Sequence, residues 1–522
     1  METWTWIDAL VYFLCVFYSA AVSLTPLQWL IVAAKFTRFV AALPVYVARE
    51  FTVVSFRVRS SERPYTTFFE FGALLYTRWV LSTFRASVVS QVFFGDRHAR
   101  TLYAWRKFKY GTENIGDFDY ETVRTEKCRG YWLRSRSRRH QRPDLVLHFA
   151  PGALGGCGSV YLYLEYLSML LVELQVHGFA NPVVFCVDAR CLEQPSYEAY
   201  VTKIVDAYKY AYMEFPHAKH LIMGSGLGGT AALGMLLRLA AGNSTTHPVL
   251  TSLELTNSLE ANNRLKVDNR PGVTKRPKSI ETMPLLRDCV QAEKPENLSL
   301  EVELSNEELP THASNLFTNF SGVYPNTDSY VADLSNGAPL DPINFDTLPS
   351  VPSDISSSES DSPPPPAVTF TPDDLASPDA ALLLSPLMRV NMDRIDSYPD
   401  FLSSRMLREL GVQLAGSRAE PGLVRDRQLW SAAVPRHGMF VMHGGAETCR
   451  REIEGLTDFL RLTHQCRIVT TSEGSEVHAW PITQAFLGRS TSSQMYGITR
   501  VAQHIANMLV MDCLFAHESD TP

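Results

Sequence analysis

The stretch from Lys219 to Leu233, K-H-L-I-M-G-S-G-L-G-G-T-A-A-L, constrains this chain more than any other. Leu221-Ile222-Met223 reads as a buried strand, the glycines force a sharp turn, and Thr230-Ala-Ala-Leu begins a helix rich in Leu, Met and Ala. Strand, tight turn, helix is the layout of a nucleophile elbow, G-x-S-x-G, whose small residues let the turn pack against strand and helix. Gly224 and Gly228 fill the small positions, and Gly226 stands where the motif has serine. Ser225 is one residue off, and as nucleophile it would put Met223 and Leu227 in slots too tight for them. On this stretch alone, a glycine-rich strand-to-helix turn of another α/β fold stays open. The glycine spacing does not fit a dinucleotide fingerprint, and no P-loop Gly-Lys-Ser/Thr follows.

Strands and helices alternate around this turn. Leu145 to Phe149 is a buried-strand pattern followed by the loop A-P-G-A-L-G-G-C-G-S, then a helix from Tyr161 to Gln175, a strand from Val183 to Val187 and a helix from Tyr197 to Tyr212. Beyond the elbow helix the pattern stops. Residues 243–377 are dominated by Ser, Asn, Pro and acidic residues, with no Lys or Arg between Pro295 and Met388 and a run S-D-I-S-S-S-E-S-D-S-P-P-P-P. Such a segment cannot bury enough apolar surface to offset its ordering entropy and is expected to be a disordered acidic insert, open to phosphorylation and able to dock a protein partner. The pattern resumes with a strand between Pro378 and Pro386, a helix around Asp400 to Leu410, a strand from Gly438 to Met442, a helix from Cys449 to Thr463, a strand from Arg467 to Thr470, a loop holding His478, and a helix from Gly497 to Phe515. The predicted class is α/β, a mostly parallel central sheet flanked by helices and split by the insert.

At the other end, Ile7 to Ala34 carry Asp8 as their only charge, with Trp4, Trp6 and Trp29 near the ends. That length can cross a bilayer, and the acidic start and long apolar core differ from a cleaved signal peptide, so residues 7–34 are expected to be an N-terminal membrane anchor in the lipid bilayer. Lys35, Arg38, Arg49, Arg57 and Arg59 follow it, which places the bulk of the chain in the cytosol. Sequons at Asn243, Asn297 and Asn319 can be used only on the lumenal side, and the orientation stays open. Residues 36–110 read as helices that cover the main domain or lie along the membrane, with Arg78 and Arg85 interrupting a second apolar stretch from Phe71 to Phe94. Residues 129–142 concentrate positive charge, either as a solvated loop or as a site for anionic head groups. The net charge of -7 argues against a nucleic-acid binder, and nine scattered cysteines without a C-x-x-C pair indicate neither a zinc site nor a disulfide framework. No cofactor or metal is expected.

The order of elements resembles the α/β-hydrolase fold, in particular the hormone-sensitive-lipase-like esterase branch that includes fungal steryl acetyl hydrolases. The likeness covers residues 125–242 and 378–518 and rests on the elbow, the glycine-rich loop after Phe149, P-D-A-A-L-L-L-S-P, G-A-E-T-C-R-R-E and V-H-A-W-P. It implies a domain in two parts, 125–242 and 378–518; with the anchor (1–35) and a helical juxtamembrane or cap region (36–124) read from hydropathy, the chain is expected to cross a membrane once, that of the endoplasmic reticulum. It also implies a serine, acid, histidine order with backbone donors for an oxyanion. Glu447 and His478 stand where the acid and the histidine are expected, and Gly152, Ala153 and Leu227 could offer oxyanion-hole donors. The family's H-G-G-G reads Ala150-Pro151-Gly152-Ala153 here, and Pro151 has no N–H to give. Gly226 leaves the nucleophile slot vacant, so His478 has no hydroxyl to deprotonate.

Two readings follow. One is a membrane-anchored protein of esterase ancestry, catalytically impaired, that keeps its pocket for a small apolar, acyl or steroid-like ligand or for a partner. The other is an active carboxylic-ester hydrolase or steryl-acetyl-type deacetylase using Ser225, or water activated by His478 and Glu447. A third option makes the acidic insert the working part and the hydrolase-like domain its scaffold.

Overall fold

The computed structural model describes residues 5–57, 68–85, 88–115, 117–152, 158–188, 196–243, 376–388, 400–402, 407–408, 421–463, 467–474, 476–488 and 490–509, all within one unit built from residues 1–266 and 369–522. The acidic insert, Ala153, most of the helix expected from Asp400 to Leu410, and the sequons at Asn297 and Asn319 lie outside these residues.

Eight strands form one sheet: β1 (Phe118–Arg124), β2 (Arg129–Ser135), β3 (Leu145–Ala150), β4 (Pro182–Val187), β5 (Lys219–Ser225), β6 (Ala380–Leu384), β7 (Met439–Gly444) and β8 (Ile468–Glu473). Their spatial order is β1-β2-β4-β3-β5-β6-β7-β8, with β2 antiparallel to both neighbours and every pairing from β4 through β8 parallel. This is an α/β-hydrolase-like sheet. β5 and β6 pair from Leu221 with Ala380 to Ser225 with Leu384, so the chain returns after residue 375 to the strand it left.

Alternate side chains of the central strands feed opposite layers. Ile222, Ala381, Leu383 and Val441 pack with α6 (Tyr197–Glu214), α7 (Leu227–Asn243) and α9 (Arg450–Thr463). Leu221, Met223, Leu382, Phe440 and Met442 pack with α5 (Leu164–Val176), α10 (Trp480–Leu487) and α11 (Thr491–Leu509). Burial on both faces is why these strands read as unbroken apolar runs.

Three sequence expectations differ from the structure. The basic run 129–142 is partly strand: Tyr131, Trp132 and Leu133 are buried, while Arg134 and Arg136 pair with Glu214 and Asp119 at 2.7 and 2.6 Å. β1 extends the sheet into the stretch expected to be helical. The single anchor over residues 7–34 is two helices, α1 (Trp6–Ser23) and α2 (Pro26–Arg57). The break is chemical. Thr25 and Gln28 exchange side-chain and backbone hydrogen bonds at 3.0 and 3.4 Å, a capping box that opens a new helix with Pro26 in its first turn, where a missing N–H costs nothing.

Asp8 explains what α1 does instead. It caps α1 through Thr5 and is fully buried on the body of the protein, where Trp105 Nε1 donates to it at 3.0 Å and Lys109 and Arg106 approach at 3.3 and 3.4 Å, all from α4 (Asp96–Ile115). Ser19 of the same helix meets His98 at 3.3 Å. α1 is therefore docked along one face, while Leu10 and Leu14 on its other face are 58% and 59% exposed. Among the described residues one helix holds a segment long and apolar enough to cross a membrane, Pro26–Tyr46, with a mean hydropathy of 1.4. Lys35 and Arg38 fall inside that segment rather than after it, which removes them from the orientation argument. Lys35 donates to the carbonyl of Thr83 at 3.1 Å, at the end of α3 (Phe68–Thr83).

Removing one member of a buried charge network leaves the rest desolvated and poorly matched. Asp8→Ala is expected to destabilise the protein by about 3 kcal/mol, measured as a lowered Tm in detergent. An unchanged Tm would mean that α1 is not held by this contact.

Candidate active site

The carboxyl ends of β3, β5, β6, β7 and β8 converge on the elbow. Gly226 follows β5 with φ of +53°, the left-handed region that β-carbons disfavour, and its N–H donates to Leu384 O at 2.9 Å. Its carbonyl accepts from Thr230 N and Leu387 N, both at 3.2 Å, tying the turn to α7 and to the segment after β6. The helix begins at Leu227, earlier than the Thr230 expected from sequence. The small flanking residues are required by contact: a β-carbon on Gly224 would lie 2.6 Å from the carbonyl oxygen of Gly228, and one on Gly228 would overlap the carbonyl of Ala150. The turn thus has the sterics of an elbow, with Gly226 at its apex.

His478 lies opposite that apex. A β-carbon on Gly226 would sit 2.9 Å from His478 Nε2 and 3.7 Å from Gly152 Cα, so position 226, the histidine and the loop after β3 face one another. Ser225 does not share this direction. It is the last residue of β5 and buried, with its hydroxyl on the Gly152 side, and among the described residues no hydrogen bond joins it to His478. Tyr200 Oη donates to the carbonyl of Pro151 at 2.7 Å and fixes the loop that carries Gly152.

Glu447 is brought into the same cluster, but its hydrogen bonds go elsewhere. Ser385 Oγ donates to its Oε2 at 2.6 Å and Gly444 N at 3.1 Å, while its Oε1 has no hydrogen-bond partner among the described residues. Ser385, at φ of +47° just beyond β6, in turn accepts from Ala479 N at 2.8 Å. The hydroxyl therefore stands between the expected acid and the histidine loop.

A second carboxyl, unassigned from sequence, reaches His478 through the backbone. Asp400 Oδ1 accepts from His478 N at 3.3 Å and its Oδ2 from Thr448 N at 2.8 Å, while Phe401 lies edge-on to the imidazole with centroids 5.8 Å apart. Burial pushes Asp400 up to about 6 and Glu447 up to about 8, the nearby Asp400 carboxyl adding to the latter. A carboxyl held neutral cannot stabilise an imidazolium. Sequence reasoning missed Ser385 and Asp400 because a Ser-Pro after a strand and a lone Asp are each commonplace. Their roles come from the contacts.

A cavity of about 510 Å³ adjoins the cluster. Phe401 and Thr483 line it next to His478, Thr483 Oγ1 donating to the His478 carbonyl at 3.1 Å, and Tyr163 lines it beside the glycine-rich loop. Its walls are otherwise mostly apolar residues of α1 to α4 and α10.

No family model matches the chain, and no curated protein does. Among solved structures it is similar to a fungal esterase from Rhizomucor miehei (11% identity, 85% of this chain and 98% of that one, TM-score 0.45). It is also similar to a hormone-sensitive lipase from a metagenome library (10% identity, 85% and 99%, TM-score 0.43) and to a putative esterase from Staphylococcus aureus (12% identity, 81% and 96%, TM-score 0.40).

A carboxyl whose pKa is raised by folding stabilises the protein fully below its unfolded value, and that contribution is lost as pH rises through the folded value. Tm is therefore expected to fall between pH 5 and 9 as Glu447 ionises near 8, and Glu447→Gln should flatten the fall. Parallel Tm curves for the two proteins would show that Glu447 keeps an ordinary pKa.

Proposed function

We propose that this is a membrane-associated protein of α/β-hydrolase fold that has lost covalent catalysis and keeps its pocket to bind a lipid-like ligand. The observation that carries the reading is the pairing of Gly226 with His478. The apex has no side chain, and the imidazole stands 2.9 Å from where one would begin. Acyl transfer by a serine enzyme needs an oxygen between histidine and substrate, and without it a triad leaves roughly 10³–10⁴-fold catalysis over water from the hole and binding alone. Glu447, whose hydrogen bonds run to Ser385 and Gly444 and not to His478, supports the same reading. Gly152 and Leu227 could still offer backbone donors beside the apex, which suits a pocket that holds a carbonyl or hydroxyl without attacking it. Membrane association is carried by the exposed apolar faces of α1 and α2, with α2 the segment that would make a single crossing.

Purified full-length protein is expected to take no fluorophosphonate label, and its turnover of p-nitrophenyl acetate should equal that of His478→Ala. Labelling at Ser225, or turnover that His478→Ala removes, would sink the proposal. Gly226→Ser must place a β-carbon at a left-handed φ and push the imidazole back, so it is expected to lose about 1–2 kcal/mol of stability. It should gain no turnover, because Glu447 makes no hydrogen bond to His478. Restored turnover would mean that one oxygen is all the site lacks.

A further inference from the structure

We propose that the cavity beside His478 takes an uncharged lipid directly out of the bilayer, through the side of the protein formed by α2. This rests on the binding role proposed above and adds the ligand's charge class and its route. Phe36, Phe39, Val40 and Leu43 of α2 form one wall of the cavity. They belong to Pro26–Tyr46, the segment long and apolar enough to lie in a membrane. Val40 both lines the cavity and is 47% exposed, so the cavity opens along that helix. A chain leaving the hydrocarbon across α2 meets aromatic and aliphatic side chains throughout and never passes through water, which would oppose every methylene.

The charge class follows from Arg106, the one cation in the wall among the described residues. Arg106 lines the cavity, but its guanidinium makes a fork with Glu165, Nε to Oε2 at 2.7 Å and Nη2 to Oε1 at 2.6 Å, and Nη1 faces Asp8 at 3.4 Å. The carboxylates of this chain already engage that charge, and both Arg106 and Glu165 are buried. A fatty acid or a phosphate head would bring an anion against Glu165 and find the arginine engaged. A neutral alcohol or ester would not. Phe401 and Thr483 lie at the end nearest His478, so the polar group of such a ligand lies toward that end while its apolar body lies along α2 and α3.

Gly72 of α3 gives the test. It lines the cavity, and a β-carbon there would meet nothing within 4 Å, so a larger side chain can fill the space without backbone clash and with better helix propensity. Gly455, in α9 away from the cavity, is equally open and serves as the control. Full-length protein in phosphatidylcholine vesicles would be irradiated with a long-chain alcohol bearing a mid-chain diazirine, with the corresponding diazirine fatty acid in parallel. The alcohol is expected to label peptides of α2 and α3 well above the acid. Labelling should fall about tenfold in Gly72→Phe, with the smaller Gly72→Leu as a second variant, and stay at the wild-type level in Gly455→Phe. Placing the probe first in the protein's own vesicles and then in separate vesicles should give faster initial labelling in the first case. Undiminished labelling of both Gly72 variants would overturn the site, equal labelling by the acid the charge class, and equal initial rates the route. Ester turnover would overturn the loss of catalysis proposed above while leaving these labelling results to stand or fall separately.

Discussion

The close approach of β3, β5 and α7 around three residues without side chains is the constraint on which the site depends. Gly152, Gly224 and Gly228 each lie against a backbone that a β-carbon would strike, so the turn can be this tight only if all three stay bare. That tightness sets the direction in which residue 226 points, and the direction is toward His478. The sterics of the turn are therefore independent of the residue at its apex. A glycine at φ of +53° is also free of the strain a side chain would carry there.

The acid side of the site has a parallel character. Two buried carboxyls, Asp400 and Glu447, hold the histidine loop and the end of β7 through backbone N–H groups and the Ser385 hydroxyl. Carboxyls used this way are structural posts. Their desolvation raises their pKa values, which is tolerable for a post and adverse for a group meant to remain an anion beside an imidazolium.

The sheet was largely legible because β3 to β7 are buried on both faces and show as apolar runs between glycines and prolines. β1 and β2 were not, since arginines that pair with Asp119 and Glu214 hide the buried trio Tyr131-Trp132-Leu133 in a run that reads as charge. The elbow, Glu447 and His478 could be placed from motif order, whereas the geometry that decides their chemistry could not. Which oxygen Glu447 offers to which neighbour depends on Ser385, 62 residues earlier at the end of β6. The division of residues 7–34 was written in Thr25-Pro26-Leu27-Gln28, a capping signature that hydropathy outweighed in the reading.

Asp8 joins the two ends of the molecule's logic. In a membrane span a single aspartate is costly and without obvious purpose. Placed at the third position of a capped helix, with Arg106, Lys109 and Trp105 around it, the same residue fastens α1 to the body and leaves the next helix as the apolar segment. The network also spends the charge of Arg106 on Asp8 and Glu165. The interaction that docks the N-terminal helices is thus the one that makes the adjoining cavity indifferent to anions, and attachment to the body and selection of what the cavity holds follow from one set of ion pairs.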